Sequence, residues 1–238
     1  MTPYDRRQVL KTLALAPVMG VLPHLLKAEA RGAGLIAANV CMLSKEVTEG
    51  PFYVDPKLIR ADITEGVAGT PLALRLQVVD EACTPIVGAR VDVWHCDAAG
   101  AYSGVQNMGG ADTTGQTFLR GTQMTDAAGI AAFQTIYPGW YRGRTVHMHY
   151  KVILEDNAVL TSQIFFDDSF SSQVFASGPA YSARGSQDVA TAQDNIAQEA
   201  GDGAVCEIVL EGGVMAASLV VGVNPDAQSG GLLKAIFG

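Results

Sequence analysis

Two histidines with one residue between them, His147 and His149, are the first candidates for chemistry in this chain. In a β-strand, residues two apart project from the same face, so both imidazoles could bind one metal ion. By itself such a pair is more often solvated or satisfied within a core. The chain has only four histidines, however, which makes a closely spaced pair more informative.

Two tyrosines could complete such a site. Tyr141 precedes His147 by six residues, and Tyr102 follows a turn-forming segment, residues 97–101. Each tyrosine alone is most simply a packing residue with a solvated hydroxyl. Together with the histidine pair they indicate a mononuclear site of two phenolates and two imidazoles. Phenolate is a hard anionic oxygen ligand that suits iron(III), whereas zinc favours thiolate, imidazole and carboxylate.

The chain resembles the intradiol ring-cleavage dioxygenases, the family of catechol 1,2-dioxygenase and protocatechuate 3,4-dioxygenase. The resemblance covers about residues 41–166. It rests on residues 48–53 (TEGPFY), 91–102 (VDVWHCDAAGAY), 138–141 (PGWY) and 144–149 (RTVHMH). Two tyrosines followed by H-x-H in that order, with an arginine three residues before the first histidine, form a specific pattern.

The resemblance implies a function and a set of site residues. The function is cleavage of a catechol by O2 between its two hydroxyl-bearing carbons, giving a muconate-type dicarboxylate. The implied iron(III) ligands are Tyr102, Tyr141, His147 and His149. Tyr141 would leave the metal to accept a substrate proton. Arg144 would stabilise charge on the substrate, with support from Gln163 by hydrogen bonding.

Two departures from the better-known soluble enzymes limit the resemblance. No long helical segment precedes residues 48–53, and the connection from Tyr141 to His147 is short. Their substrate pocket is therefore not transferable, and the chain looks most like an exported, compact branch of the family. His95 is predicted to be structural or to support the ligands indirectly, and not to be a ligand, since four protein ligands are already assigned.

Eight short segments rich in Val, Ile, Thr and aromatic residues predict an all-β fold. They are residues 72–78, 91–96, 117–125, 130–136, 145–154, 160–166, 205–210 and 218–223. This pattern favours an antiparallel β-sandwich with long covering loops, mainly residues 167–203. Only residues 187–200 have a weak helical pattern. Because Arg144 and His147 are three apart, a bend or bulge near Thr145 is needed to bring both toward one site.

A non-catalytic alternative fits part of the same pattern. Residues 85–93 (PIVGARVDV) and 125–129 (TDAAG) are also typical of transthyretin-like β-sandwich modules, which bind or space without catalysing. Only the four ligand positions argue against that alternative. Iron-phenolate sites absorb visible light, so colour would separate the two functions.

The composition and charge of the chain indicate which kinds of molecule it can bind. The net charge is −8 and the pI about 4.9, so the chain lacks a basic surface for nucleic acid. With 48% hydrophobic and 17% charged residues, one β-domain spanning residues 31–238 is expected. The oligomeric state stays open.

Residues 1–30 have the layout of a signal peptide. Arg6 and Arg7 precede an apolar stretch, residues 9–26, and a small-x-small pattern follows at residues 28–30. The paired arginines favour a twin-arginine signal, although an ordinary signal fits too. Interruptions at Pro17 and Pro23 argue against a membrane span. The predicted location is therefore periplasmic or secreted.

Export changes the interpretation of the cysteines. Four of them, Cys41, Cys83, Cys96 and Cys206, lie after the predicted cleavage site. An even count in an oxidising compartment predicts at least one disulfide, and three full pairings are possible.

Overall fold

The computed structural model describes residues 42–55, 57–106 and 112–229. The predicted signal peptide and Cys41 lie outside these residues. The described chain forms eight strands: β1 (Pro71–Val79), β2 (Arg90–Trp94), β3 (Arg120–Met124), β4 (Ile130–Ile136), β5 (His147–Leu154), β6 (Asn157–Phe165), β7 (Glu207–Glu211) and β8 (Val214–Gly222). Two helices, α1 (Asp168–Ser177) and α2 (Asn195–Ala200), lie between β6 and β7.

The strands form two four-stranded sheets, in the orders β4-β1-β8-β7 and β3-β2-β5-β6. Alternation along β1 buries Leu72, Leu74 and Leu76, which face a core shared with Val93 of β2 and Met148 of β5. This confirms the predicted all-β sandwich. Most named strand pairs are antiparallel, but β1 and β8 run parallel.

The approach to β5 agrees only in part with the prediction. The strand begins at His147, and residues 141–144 form a turn in which the Arg144 N–H donates to Tyr141 O at 3.2 Å. The register shift in β5 lies at Val152/Ile153, away from Thr145. The predicted bend or bulge near Thr145 is therefore present as a bend at residues 144 and 146, and not as a bulge. Because Arg144 lies in this turn and not in the strand, its side chain does not have to point to the face opposite His147.

The helical prediction for residues 187–200 is only partly correct, since α2 covers just Asn195–Ala200. Helix α1 was missed inside the expected covering loop. Its serine-rich sequence has a weak helical pattern, but Asp167 caps it by accepting the Phe170 N–H at 2.9 Å. Burial of Val174 and Phe175 then holds the helix against the sandwich.

The described cysteines are in two states. Cys83 is in a disulfide, which confirms the prediction of at least one, while Cys96 and Cys206 are buried free thiols. No helix within the described residues is long and apolar enough to span a membrane.

Candidate metal centre

The two histidines lie at the start of β5, where both side chains are buried on the same face. His149 pairs across the sheet with Trp94 of β2, and the two rings stack with centroids 5.0 Å apart and an interplanar angle of 11°. The His149 Nδ1 atom has no hydrogen-bond partner among the described residues, so stacking on the indole and the contacts of Nε2 hold this imidazole.

The two tyrosines come from loops that pack tightly together. Asp97 organises the turn before Tyr102, because its Oδ1 accepts the N–H groups of both Ala99 and Ala101. In the other loop, a Cβ on Gly139 would lie 2.4 Å from Asp97 O, within clash distance. Glycine at this position therefore allows the loop that carries Tyr141 to reach the loop that carries Tyr102.

The four predicted ligand atoms converge. His147 Nε2 lies 3.4 Å from the Tyr102 hydroxyl and 3.2 Å from the Tyr141 hydroxyl. His149 Nε2 lies 3.1 Å from the Tyr102 hydroxyl. Ligand atoms about 2.0–2.2 Å from one metal ion, at angles near 90–110°, are roughly 2.8–3.6 Å from each other. The spacing of these four atoms therefore fits a single mononuclear ion.

The protonation of His147 suits metal binding. Its Nδ1 lies 2.7 Å from Thr145 O, and a carbonyl only accepts, so Nδ1 carries the proton and Nε2 presents its lone pair to the tyrosine hydroxyls. Burial, with a further contribution from Arg144, lowers the pKa of His147 to about 3. Burial and the neighbouring His147 also hold the pKa of His149 well below its ordinary value. Both imidazoles are thus neutral ligands near pH 7.

The tyrosines need a cation before they can ionise. Burial is the main cause that raises the pKa of Tyr102 well above 10, and it also raises the pKa of Tyr141. A bound metal ion would reverse this effect and stabilise the phenolates. The described residues contain no cluster of three or more His, Cys, Asp or Glu side chains suited to a metal. The phenol oxygens are therefore essential to this site, and such hard anionic donors fit iron(III).

A guanidinium lies beside the four donor atoms. Arg144 Nη1 is 3.5 Å from the Tyr141 hydroxyl, and Arg144 Nη2 donates to Gln163 Oε1 at 2.6 Å. The Gln163 amide in turn donates to Thr48 O at 3.0 Å. Arg144 Nε pairs with Asp194 at 2.7 Å. The structure thus brings together all the sequence-predicted site residues, including Arg144 and Gln163.

Residues 48–53 cover one side of the centre. Phe52 stacks on Tyr102 with ring centroids 4.7 Å apart. An ion pair between Lys151 and Glu49 ties this segment to β5, and Lys151 Nζ also lies 3.8 Å from the centroid of the Tyr53 ring. Tyr102 is consequently enclosed, while Tyr141 keeps partial solvent exposure.

His95 lies outside the four-atom cluster. Its Nδ1 bonds to Cys96 O at 2.8 Å and its Nε2 to the hydroxyl of Thr135 on β4 at 2.7 Å. Both ring nitrogens are therefore engaged, and the Nε2 contact links the segment after β2 to the other sheet, as expected of a structural residue. Burial lowers the pKa of His95 to about 4, so it is neutral as well.

Sequence reasoning missed Asp194 and the stacking residues Phe52 and Trp94. The aromatic pair lies within recognised motifs, but neither residue type indicates a stacking role by itself. Asp194 could have been predicted as a helix N-cap ahead of α2. Its pairing with Arg144 joins residues fifty positions apart and has no local sequence signal.

The chain is similar in sequence and in fold to known proteins. A sequence model of a family described as "Dioxygenase" matches residues 48–212. The solved intradiol ring-cleavage dioxygenase from Tetranychus urticae is similar over 80% of this chain and 98% of its own, with 32% identity and a TM-score of 0.73. A chlorocatechol 1,2-dioxygenase from a Pseudomonas species is 28% identical over 145 residues, covering 52% of this chain and 56% of its own. A catechol 1,2-dioxygenase from Candida albicans is 31% identical over 140 residues, covering 49% and 45%. The chain thus spans about half the length of these curated relatives.

Proposed function

Because the chain belongs to the intradiol ring-cleavage dioxygenase family, we propose that it is an iron(III)-dependent enzyme that cleaves a catechol-type ring with O2. The observation that carries the proposal is the convergence of two phenol oxygens and two neutral imidazole nitrogens, which are linked by three contacts of 3.1–3.4 Å. A non-catalytic sandwich module would not need these four donor atoms, nor the Arg144 guanidinium beside them.

The ion would be held by Tyr102, Tyr141, His147 and His149. When bound, iron(III) supplies Lewis acidity, which favours the ionised catechol and makes its ring reactive toward O2. The fit rests on donor chemistry, since two hard phenolates and two imidazoles give a charge and geometry suited to a trivalent iron.

The two tyrosines would have different roles because their surroundings differ. Tyr102 is 1% exposed and stacked under Phe52, so it would remain a fixed ligand. Tyr141 is partly exposed and borders the guanidinium of Arg144. Its phenolate oxygen is therefore the group suited to accept a proton from a catechol hydroxyl and swing toward solvent.

Arg144 would stabilise negative charge that develops on the substrate. Its guanidinium is held by Asp194 and Gln163, so the cation is oriented before the substrate binds. Gln163 acts through Arg144, because its carbonyl oxygen accepts from the guanidinium while its amide is held by Thr48. The product would be a muconate-type dicarboxylate that contains both atoms of O2.

The proposed location is periplasmic or secreted, by way of the twin-arginine-type signal at Arg6 and Arg7. The disulfide at Cys83 supports an oxidising compartment. The proposed partners are a small catechol and O2, and the acidic chain argues against nucleic acid.

Iron loading and colour test the proposed site. Purified protein supplied with iron should bind about one iron per chain and absorb visible light, and the band should shift when catechol is added. His147→Ala should lose iron and colour, and Tyr102→Phe should weaken and shift the band, because only the Tyr141 phenolate remains. Tyr137→Phe is the matched control, since this buried tyrosine contacts Ser171 and lies away from the cluster. Stoichiometric zinc, no colour and no ring cleavage after iron reconstitution would contradict the proposal.

A further inference from the structure

Asp194 makes contacts on both edges of its carboxylate. The residue is 3% exposed and lies within residues 167–203, the covering segment, immediately before α2. Its Oδ1 accepts the N–H groups of Ile196 and Ala197 at 2.9 and 3.0 Å, which caps the helix. Its Oδ2 faces the other way, toward the residues that precede β5.

Oδ2 holds two groups of the candidate centre. It accepts from Arg144 Nε at 2.7 Å and from the Thr145 backbone N–H at 3.0 Å. Thr145 O in turn accepts from His147 Nδ1 at 2.7 Å. One carboxylate oxygen therefore fixes the guanidinium and also the backbone that sets the tautomer of a histidine.

The guanidinium has few other constraints. Its remaining contacts among the described residues are Gln163 at 2.6 Å and the longer approach to the Tyr141 hydroxyl. An arginine side chain has considerable rotamer freedom, and a charge-assisted hydrogen bond is among the stronger ways to limit it. The buried carboxylate is consequently the main constraint on the Nε edge of Arg144.

We propose that Asp194 is a positioning residue, which orients the Arg144 guanidinium toward the substrate and links the covering segment to the reacting centre. The proposal rests on the function proposed above, because it assigns Asp194 a role in that reaction. It is separate from helix capping, since the two roles use different oxygens of the same carboxylate.

Two substitutions separate the roles. Asparagine and serine are both good N-caps, so Asp194→Asn and Asp194→Ser can keep the cap of α2. Neither can cap the helix and also present an anionic oxygen to Arg144. The matched control is Asp167→Asn, which alters the N-cap of α1 away from the centre.

Both Asp194 variants should retain iron and colour, with kcat on catechol lowered by roughly 10- to 50-fold and KM changed less than about threefold. Asp167→Asn should stay within about twofold of the parent. In an Arg144→Ala background, Asp194→Asn should lower kcat by less than about a further twofold, because the guanidinium that Asp194 orients is already absent. Parent-like turnover in the Asp194 variants, or a fully additive loss in the double variant, would overturn the proposal.

A second readout does not depend on activity. In ¹H–¹⁵N spectra of the metal-free protein, the Arg144 Nε–H should be visible and slow to exchange, because it donates a hydrogen bond to the Asp194 carboxylate. The signal should disappear or shift in Asp194→Asn and Asp194→Ser, and remain in Asp167→Asn. If it behaves this way while no ring cleavage occurs, the pairing stands and the proposed function fails. An unchanged signal in the Asp194 variants, or failure of both to fold, would overturn the positioning role.

Discussion

Arg144→Ala is the substitution that best separates catalysis from metal binding. The Arg144 side chain is 16% exposed and contacts the candidate centre only through the Tyr141 hydroxyl, at 3.5 Å. Its removal deletes none of the four donor atoms. The variant should therefore bind iron, keep its colour and show a spectral shift with catechol. Turnover should fall about 100-fold or more, which corresponds to about 2.7 kcal/mol of lost transition-state stabilisation.

The same substitution has a stability cost that can be estimated from the contacts of Asp194. The Asp194 side chain is 1% exposed, and without the guanidinium it becomes a buried carboxylate with no cation paired to it among the described residues. It keeps three backbone N–H donors, from Thr145, Ile196 and Ala197. The cost should therefore be about 1–3 kcal/mol, below the range for a fully unpaired buried charge. The free energy of unfolding of the metal-free protein, measured in urea, checks this value.

The assay is steady-state dicarboxylate formation from catechol, corrected for iron content. Arg144→Lys should recover only part of the lost turnover, because a point charge does not reproduce a planar fork of donors. Arg142→Ala, in the exposed neighbour two residues away, is the control and should retain turnover. Near-normal turnover in iron-loaded Arg144→Ala would refute the charge-stabilising role.

Three further predictions follow from burial and packing. The metal-free protein should lose stability as pH falls from about 6.5 to about 4, by up to about 1.4 kcal/mol per pH unit for each proton involved. The cause is that burial lowers the pKa of His95, His147 and His149 in the folded state, so the unfolded chain binds more protons in this pH range. A urea midpoint that does not change with pH would contradict this prediction. His95→Ala should keep iron and colour despite lower stability, and metal loss comparable to His147→Ala would show that His95 is a ligand. Gly139→Ala should disturb the colour because its Cβ would clash with backbone, whereas Gly143→Ala, with open space around its Cβ, should only lower stability.

Residue types and spacing indicated the histidine pair and the two tyrosines, whereas Arg144 and Gln163 were predicted only from the family resemblance. The H-x-H spacing places both imidazoles on one face of a strand, and β5 has that arrangement. The alternation of Leu72, Leu74 and Leu76 likewise predicts β1, where inward-facing apolar residues repeat every second position.

The errors lie where tertiary contacts decide the local structure. The strand predicted at residues 145–154 begins only at His147. The turn before it, at residues 141–144, is stabilised by contacts with residues 167–203, such as that of Asp188 with the Gly143 N–H. Helix α1 depends on burial of Val174 and Phe175, which its serine-rich sequence indicates weakly. The Asp194 pairing depends on where a long segment folds back, so no local pattern could predict it.

Isotopic analysis of the product tests the central claim most directly. Iron-loaded protein should be given catechol under ¹⁸O₂, and the product identified by mass spectrometry. A muconate-type dicarboxylate that carries both labelled atoms is the predicted result, since intradiol cleavage incorporates the whole of O2. An unlabelled quinone, or a ring-opened aldehyde acid from cleavage beside the hydroxyl-bearing carbons, would contradict the proposed function.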